Sequence, residues 1–242
     1  MKKERIWNQL RYADVWILLF ACLLLAALIT RELFGYFRFT ALTRTILLLI
    51  NCAIFYLGGL LYCKRMRCNR LMRVLFGLFF ALYLYLLLSL TLLDPSLGRG
   101  VGSVYDQIGG RRELYNQYFV NLVPFRSIYS VYIKGFLKGH INPYYTLLNL
   151  LGNVCAFMPL AFFLPYFLRA QRKWYCFLPT VLLVAVTVEL LQLALMVGSC
   201  DVDDLLLNTG GAALLYLLLK LPTLQRAIRA LTLENTERKI PQ

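Results

Sequence analysis

The chain is poor in charge, and in acidic residues above all. Only 16% of its 242 residues are charged, and 12 Asp and Glu stand against 26 Lys and Arg. Soluble domains carry about 25% charged and about 45–50% apolar residues, whereas this chain is 60% hydrophobic. The shortage of charge therefore excludes an ordinary soluble domain and favours a protein whose solvent is a lipid bilayer.

Histidine and closely spaced cysteines, the usual ligands of structural zinc, are also scarce. His140 is the one histidine, and Cys63 and Cys68 are too far apart for a C-x-x-C motif. The seven cysteines are scattered, and most lie in or beside apolar runs, where cysteine behaves as a small hydrophobe. This pattern argues against both a disulfide framework and a zinc site.

Long apolar runs dominate what the sequence does contain. About 20 apolar residues cross a bilayer as a helix, and six such runs can be counted: Val15–Thr30, Ala41–Tyr62, Val74–Leu93, Thr146–Leu168, Tyr175–Val197 and Leu205–Leu221. We therefore predict an all-α integral membrane protein, a bundle of about six transmembrane helices. A long outer loop joins the third helix to the fourth.

These runs divide the chain into four parts. They are a three-helix membrane segment (1–93), an extracytoplasmic interfacial loop (94–145), a C-terminal three-helix core (146–222) and a cytoplasmic tail (223–242). The basic N-terminus before an apolar run also suits a signal peptide, but no small-x-small cleavage site follows the run. We expect the first helix to stay uncleaved.

The net charge of +14 comes from basic residues whose distribution matches a membrane topology. Basic clusters lie at 2–11, 64–73, 169–173 and 220–239, in alternating connections. Basic residues are enriched on the cytoplasmic side of membrane proteins, so both termini are expected to be cytoplasmic. Arg31, Arg38 and Arg44 in the first outer turn count against this orientation. Membrane topology explains the charge better than a nucleic-acid partner does.

Polar residues interrupt the last three apolar runs at one depth. An ionisable group inside a membrane costs roughly 2.5–3.5 kcal/mol on insertion scales and usually marks a functional site. The predicted topology brings the polar residues of these three helices together near the outer leaflet, with Arg126 of the loop as the nearest basic residue. The predicted polar cluster comprises Asn149, Asn153, Glu189, Gln192, Asp201, Asp203, Asp204, Asn208 and Arg126.

Several of these residues also have structural interpretations. Asp203 or Asp204 could be the N-cap of the sixth helix, and the amides could form interhelical hydrogen bonds. Gly210-Gly211 favours close helix packing, and Pro159 and Pro165 predict a kink in the fourth helix. A buried glutamate must be protonated, paired with a cation or a ligand, which makes Glu189 the strongest functional candidate.

The outer loop is rich in aromatic residues, which prefer the headgroup layer of a membrane. Within it, the segment Asn121-Leu-Val-Pro-Phe-Arg-Ser-Ile128 predicts a short extended piece that runs into an interfacial helix. The loop is expected to lie on the outer surface above the last three helices. It is either a lid or an anchored connection.

Four blocks, in this order, resemble the VanZ-like family. They are Asn121-Leu-Val-Pro-Phe-Arg126, Asn149-x-x-x-Asn153-x-x-x-Phe-x-Pro159, Glu189-x-x-Gln192 and Asp201-Val-Asp-Asp-Leu-x-x-Asn208-x-x-Gly211. The resemblance covers residues 120–220. Members are mostly bacterial inner-membrane proteins, and the family takes its name from a protein associated with low-level teicoplanin resistance. The resemblance implies a cell-envelope role on the outer face and carries no catalytic mechanism.

The first hypothesis is a binding protein that needs no cofactor. Its polar cluster would bind a membrane lipid headgroup, a lipid-linked wall precursor or a glycopeptide, and so contribute to antibiotic resistance. Asp201, Asp203 and Asp204 would recognise a cationic or hydroxylated group, and Glu189 and the amides would line the floor of the pocket. No residue pattern indicates an oligomeric state.

The second hypothesis is a membrane enzyme that acts on a lipid-linked envelope substrate. Asp201, Asp203 and Asp204 would then hold Mg²⁺ or Mn²⁺, which prefer oxygen ligands, or Glu189 would act as a general acid or base. A transporter, the third possibility, suits intramembrane carboxylates. No inverted repeat supports it, and we rank it last.

Overall fold

The computed structural model describes residues 12–34, 39–66, 69–93, 109–135 and 143–233, which are largely helical. In chain order the elements are α1 (Ala13–Phe34), α2 (Ala41–Met66), α3 (Arg70–Leu88), α4 (Arg112–Tyr118), β1 (Val120–Asn121), α5 (Pro143–Ala156), α6 (Leu160–Phe167), α7 (Trp174–Leu195), β2 (Cys200–Asp201), α8 (Val202–Leu218) and α9 (Pro222–Leu231). Shorter helical segments of other pitch follow α3 (Ser89–Leu93), β1 (Ile128–Gly135) and α6 (Arg169–Arg172).

Five helical stretches of the described chain are long and apolar enough to cross a membrane. They are Ala13–Phe34, Ala41–Met66, Arg70–Leu93, Asn149–Phe167 and Trp174–Leu195, and a sixth is obtained if α8 and α9 are joined. Alone, the 17 residues of α8 extend for about 26 Å at 1.5 Å per residue, slightly less than a bilayer core of about 30 Å. The prediction of an all-α, multi-pass membrane protein is confirmed. Much of the predicted outer loop, at 94–108 and 136–142, lies outside the described residues.

The chain forms two compact units, residues 1–86 with 225–242 and residues 87–224. In the first unit α1 and α2 form an antiparallel hairpin that is joined at three levels. Arg65 pairs with Asp14 at 2.8 Å, Asn51 Nδ2 donates to the carbonyl of Ala21 at 3.0 Å, and Arg44 pairs with Glu32 at 2.9 Å. The core between these levels is apolar and centres on Ala21, Phe55 and Leu75.

The second unit packs α5 and α6 against α7 and α8. The chain breaks between α5 and α6, and Pro159 stands at the first position before α6, where the sequence predicts a kink because proline lacks a backbone N–H. α8 lies against the backbone of α5, since a Cβ on Gly211 would overlap the main-chain oxygen of Val154. The rings of Phe177 and Tyr216 stack at 4.2 Å and join α7 to α8.

The described part of the outer loop is attached to the end of α7. Arg112 donates to the carbonyls of Leu193 and Ala194 at 2.6 and 3.2 Å, which satisfies acceptors that a helix C-terminus leaves open. Tyr115 is fully buried. Beyond α4, β1 pairs with β2 in parallel, so this loop meets the turn that carries the aspartates.

Candidate functional site

The acidic turn begins where α7 ends. Met196 and Gly198 adopt left-handed conformations, with φ of 53° and 65°, and these reverse the chain into β2. Asp201 is extended and its side chain accepts the N–H of Asp203 at 2.9 Å, which makes it the N-cap of α8. The prediction that Asp203 or Asp204 is the cap is wrong. Pairing with β1 holds Asp201 extended, and an N-cap residue needs that non-helical conformation.

Asp201 also joins the turn to the outer loop. Its carboxylate accepts Asn121 Nδ2 at 2.9 Å and the hydroxyl of Ser127. Asn121 Nδ2 lies 3.1 Å from Ser127 Oγ as well. One carboxylate therefore binds both ends of the segment from Asn121 to Ser127, in addition to capping α8.

Asp203 is fully buried and holds the backbone of the same segment. Its two oxygens accept the N–H groups of Phe125, Ser127 and Ile128 at 2.5, 2.8 and 3.0 Å. Phe125 has φ of 64°, a left-handed conformation that a bulky residue adopts only when its surroundings impose it, at a cost of about 1–3 kcal/mol. Asp203 supplies the hydrogen bonds that impose it.

Glu189 and Asp204 are the other two carboxylates of the cluster, and both are buried. Glu189 Oε2 accepts the N–H of Asp201 at 2.9 Å, and Asn153 donates its amide to Asp204. Arg126, the basic residue that the sequence places nearest to Glu189, is exposed. Within the described residues, its hydrogen bonds are made by the main chain, with Val123 and Ser130.

Two other groups beside the acidic turn are held in their neutral forms. Burial, together with the neighbouring Glu189 and Asp201 carboxylates, raises the pKa of the Cys200 thiol to about 11. Burial, followed by the neighbouring Cys200 and Glu189, raises the pKa of Tyr115 to about 12, although Arg112 opposes the shift. Nucleophilic chemistry requires a thiolate, and neither group supplies an anion near neutral pH.

The amides of the predicted cluster fall into different environments. Gln192 is buried and donates to the carbonyl of Thr91 at 3.0 Å. Within the described residues, Gln192 Oε1 and Asn208 Oδ1 are buried without a hydrogen-bond partner. Asn153 is buried, whereas Asn149, one turn earlier on α5, is exposed. The structure thus brings Asn153 into the acidic cluster and leaves Asn149 on the surface.

The acidic cluster does not have the arrangement of a divalent-metal site. Mg²⁺ and Mn²⁺ sites need several carboxylate oxygens that converge on one point. Asp201, Asp203 and Asp204, the ligand set of the enzyme hypothesis, are directed at different amide, hydroxyl and backbone donors. Across the described ranges, no group of three or more His, Cys, Asp or Glu side chains could hold a metal ion.

Sequence reasoning missed two members of this network. The sequence marks Asn121 only as part of a motif and does not distinguish Ser127, yet both bind Asp201. The missed signal is local. Asn and Ser are typical of turns in which side chains bond the backbone, and Asn121 Oδ1 accepts the N–H of Val123 at 3.2 Å.

Comparison with protein families identifies a match. A family model described as VanZ/LLP1 matches residues 80–224, which is more than half of the chain and contains every residue of the predicted polar cluster. No curated protein matches the chain. No solved structure matches it.

Proposed function

The chain belongs to the VanZ-like family, and from that premise we propose that its second unit binds a cell-envelope ligand at the outer face of the bacterial cytoplasmic membrane. Both termini are cytoplasmic in this proposal. The ligand is a membrane lipid, a lipid-linked wall precursor or a lipoglycopeptide. Binding at this place would lower the access of a drug such as teicoplanin to its target.

The observation that carries the proposal is that buried carboxylates fix the conformation of an exposed loop tip. Asp201 and Asp203 hold the segment from Asn121 to Ile128 through five hydrogen bonds that its side chains and backbone donate. Burying carboxylates is expensive, and an apolar core often replaces them without loss of stability. A defined loop shape at the surface would explain their presence here.

The loop tip itself is amphipathic. Leu122 and Phe125 are 73% and 65% exposed, and Arg126 is exposed between these apolar groups and Ser127. A guanidinium binds phosphate or carboxylate through two parallel hydrogen bonds, while exposed apolar side chains fit an acyl or prenyl chain. This tip suits a ligand that has an anionic head and an apolar tail.

This proposal changes the role expected for the aspartates. In the sequence-based hypothesis Asp201, Asp203 and Asp204 contact the ligand directly. In the structure Asp201 and Asp203 accept hydrogen bonds from the protein itself, so they position the loop. Arg126 and Phe125 are the proposed contacts.

No specific observation in the described residues favours the hypothesis of a metal-dependent enzyme. Its ligand set would need Asp201, Asp203 and Asp204 to turn away from their present partners. We therefore keep binding and protection as the proposed function, with no cofactor.

A drug-susceptibility assay tests this proposal. The chain would be expressed in a susceptible Gram-positive host as wild type, Arg126→Gln, Asp203→Asn and Arg169→Gln, and membrane levels would be equalised by immunoblot. Arg169 is a matched control because it is exposed and lies at the far end of the α5–α6 stretch. Teicoplanin and vancomycin susceptibilities would be read for each strain.

We expect both Arg126→Gln and Asp203→Asn to lose teicoplanin protection, and Arg169→Gln to keep it. Full protection in Arg126→Gln would remove the loop tip from the proposed contact. Equal loss in Arg169→Gln would show a general effect of charge and contradict the site. If the wild type gives no protection, the teicoplanin part of the proposal is wrong.

A further inference from the structure

The first unit contains an apolar cavity that the polar cluster does not involve. It has a volume of about 250 Å³ and is lined by side chains of α1, α2 and α3, six of them leucines. These are Leu25, Leu28, Leu33, Leu47, Leu48 and Leu82. Leu33 is 70% exposed, so the cavity opens at the side of the unit.

One end of this cavity is charged. Glu32 and Arg44 line it and form an ion pair of 2.9 Å, and Arg44 is only 8% exposed. The guanidinium of Arg31 lies 4.3 Å from the ring centre of Phe39, another lining residue. Among the described residues, the two cations Arg31 and Arg44 and the one anion Glu32 give this end a net charge of +1.

The two properties together select a class of ligand. A cavity lined by leucines does not hold ordered water and accepts apolar molecules instead. At about 30 Å³ per water-sized group, a volume of about 250 Å³ accommodates roughly eight methylene groups. The positive end then favours an anionic group on the same molecule, because guanidinium binds phosphate well.

We propose that this cavity binds one acyl chain of an anionic phospholipid, with the phosphate beside Arg44 and Arg31. The opening beside Leu33 lets the chain enter sideways from the bilayer. Nine of the eleven lining residues precede the family-matched residues 80–224, so the family match does not assign this site. The proposal is independent of the function proposed for the second unit.

Native mass spectrometry of the full chain in a nonionic detergent tests the proposal. Phosphatidylglycerol and phosphatidylcholine would be added in equal amounts, and bound lipid would be counted per chain. We expect one retained lipid and a preference for phosphatidylglycerol. Leu47→Trp, which fills the cavity, removes the retained lipid. Leu49→Trp is the matched control because Leu49 lies on the same helix and is 61% exposed, and it keeps the lipid.

Two charge variants separate recognition from folding. Glu32→Gln raises the net charge at the cavity end and Arg44→Gln lowers it, while both break the same ion pair. The preference for phosphatidylglycerol should rise in Glu32→Gln and fall in Arg44→Gln, each by roughly fivefold for one charge near an anionic lipid. A shift in the same direction in both variants would overturn the proposal, because it would report only the broken pair.

Two further results would also overturn it. Equal lipid retention by Leu47→Trp and Leu49→Trp would place the lipid outside the cavity. Displacement of the lipid by inorganic phosphate alone would show a free-phosphate site, in which the acyl chain has no role.

Discussion

The carboxylates of the two units of this protein have different kinds of partner. In the first unit Asp14 and Glu32 each face an arginine across the α1–α2 hairpin. In the second unit Asp201 and Asp203 accept hydrogen bonds from amides, a hydroxyl and backbone N–H groups. The first arrangement joins two helices, and the second determines the conformation of a loop.

The difference follows from the geometry of the donors. An arginine side chain is long and reaches a carboxylate from many backbone positions, so the Arg65–Asp14 pair constrains the hairpin only loosely. A backbone N–H points in one direction, and three of them must be arranged to meet Asp203. Hydrogen bonds to a charged acceptor are worth about 1.5–3 kcal/mol each. Backbone N–H donors that meet one carboxylate therefore fix the shape of the loop, and a fixed surface shape is what recognition needs.

Glycine substitutions give the largest expected difference between the units. A Cβ on Gly211 would overlap the main-chain oxygen of Val154, whereas a Cβ on Gly59 would meet the flexible end of Leu75. Gly211→Ala should lower the free energy of unfolding by about 3 kcal/mol because α8 must move away from α5. Gly59→Ala should cost much less, since a leucine can change its rotamer. Thermal unfolding in detergent, monitored by size-exclusion chromatography, measures the loss of stability in both variants.

Gly210→Ala is the control for this prediction. Among the described residues, no atom lies within 4 Å of the position of its Cβ, and alanine favours a helix more than glycine does. Its stability should match or exceed that of the wild type. An equal loss in Gly210→Ala and Gly211→Ala would contradict backbone contact as the cause.

Removing the charge of Asp203 should have the next largest effect. Asp203→Asn replaces one acceptor oxygen by an amide donor that faces backbone N–H groups, at a cost of about 2 kcal/mol. The loop tip should open, and trypsin should cleave after Arg126 faster than in the wild type. Fragment masses after short digestion measure this rate. Glu113→Gln, at an exposed acidic position on α4, is the control and should leave the rate unchanged. An unchanged rate in Asp203→Asn would contradict the role of Asp203 in holding the loop backbone.

The ion pair of the first unit should contribute less. A double-mutant cycle of Asp14→Asn and Arg65→Gln should give a coupling energy of about 1 kcal/mol, because Arg65 is 30% exposed and solvent screens the pair. The coupling, measured by thermal unfolding, should fall further in high salt. A salt-independent coupling would indicate that this pair behaves like the buried carboxylates of the second unit.

The smallest effect on stability, and the most specific one, concerns Cys200. With its pKa raised to about 11, the thiol should react slowly with maleimide at pH 8, and the rate should still be rising at pH 10 because the thiolate is the reactive form. Glu189→Gln removes a carboxylate that raises this pKa, so the reaction should become faster. Asp204→Asn should have a smaller effect, since Asp204 contributes less than Glu189 to the shift.

This measurement uses a chain in which Cys200 is the one remaining cysteine. Comparing variants at one position cancels differences in access to the buried thiol. An identical pH profile in the wild type and Glu189→Gln would show that Glu189 does not contribute to the raised pKa of Cys200.

Much of the architecture follows from the sequence. Each of the first three predicted runs, such as Ala41–Tyr62, coincides with a helix whose ends differ by a few residues. Pro159 stands at the break between α5 and α6, and Gly211 stands at the contact with α5. These features depend on local properties: apolar length, a missing N–H and a missing side chain.

The details of the polar cluster did not follow in the same way. The cap of α8 is Asp201 because β1, 80 residues earlier, pairs with it. Asn153 is buried and Asn149 is exposed because of how α5 packs, which a spacing of four residues does not determine. By residue type alone, Asp203 and Asp204 are equally suitable N-caps. Pairing of the distant strand β1 with Asp201 selects Asp201 instead.

The sequence by itself determined the all-α, multi-pass architecture and the stretches that are long and apolar enough to cross a membrane. The physical reason is that each stretch that crosses a bilayer must itself be apolar over a sufficient length. Only the tertiary structure decided how Asp201 and Asp203 bind the loop, because the loop groups that donate to them lie more than 70 residues away along the chain. Asp203 binds the loop because the fold brings residues 125–128 into contact with it. The residues next to Asp203 in the sequence do not predict that contact.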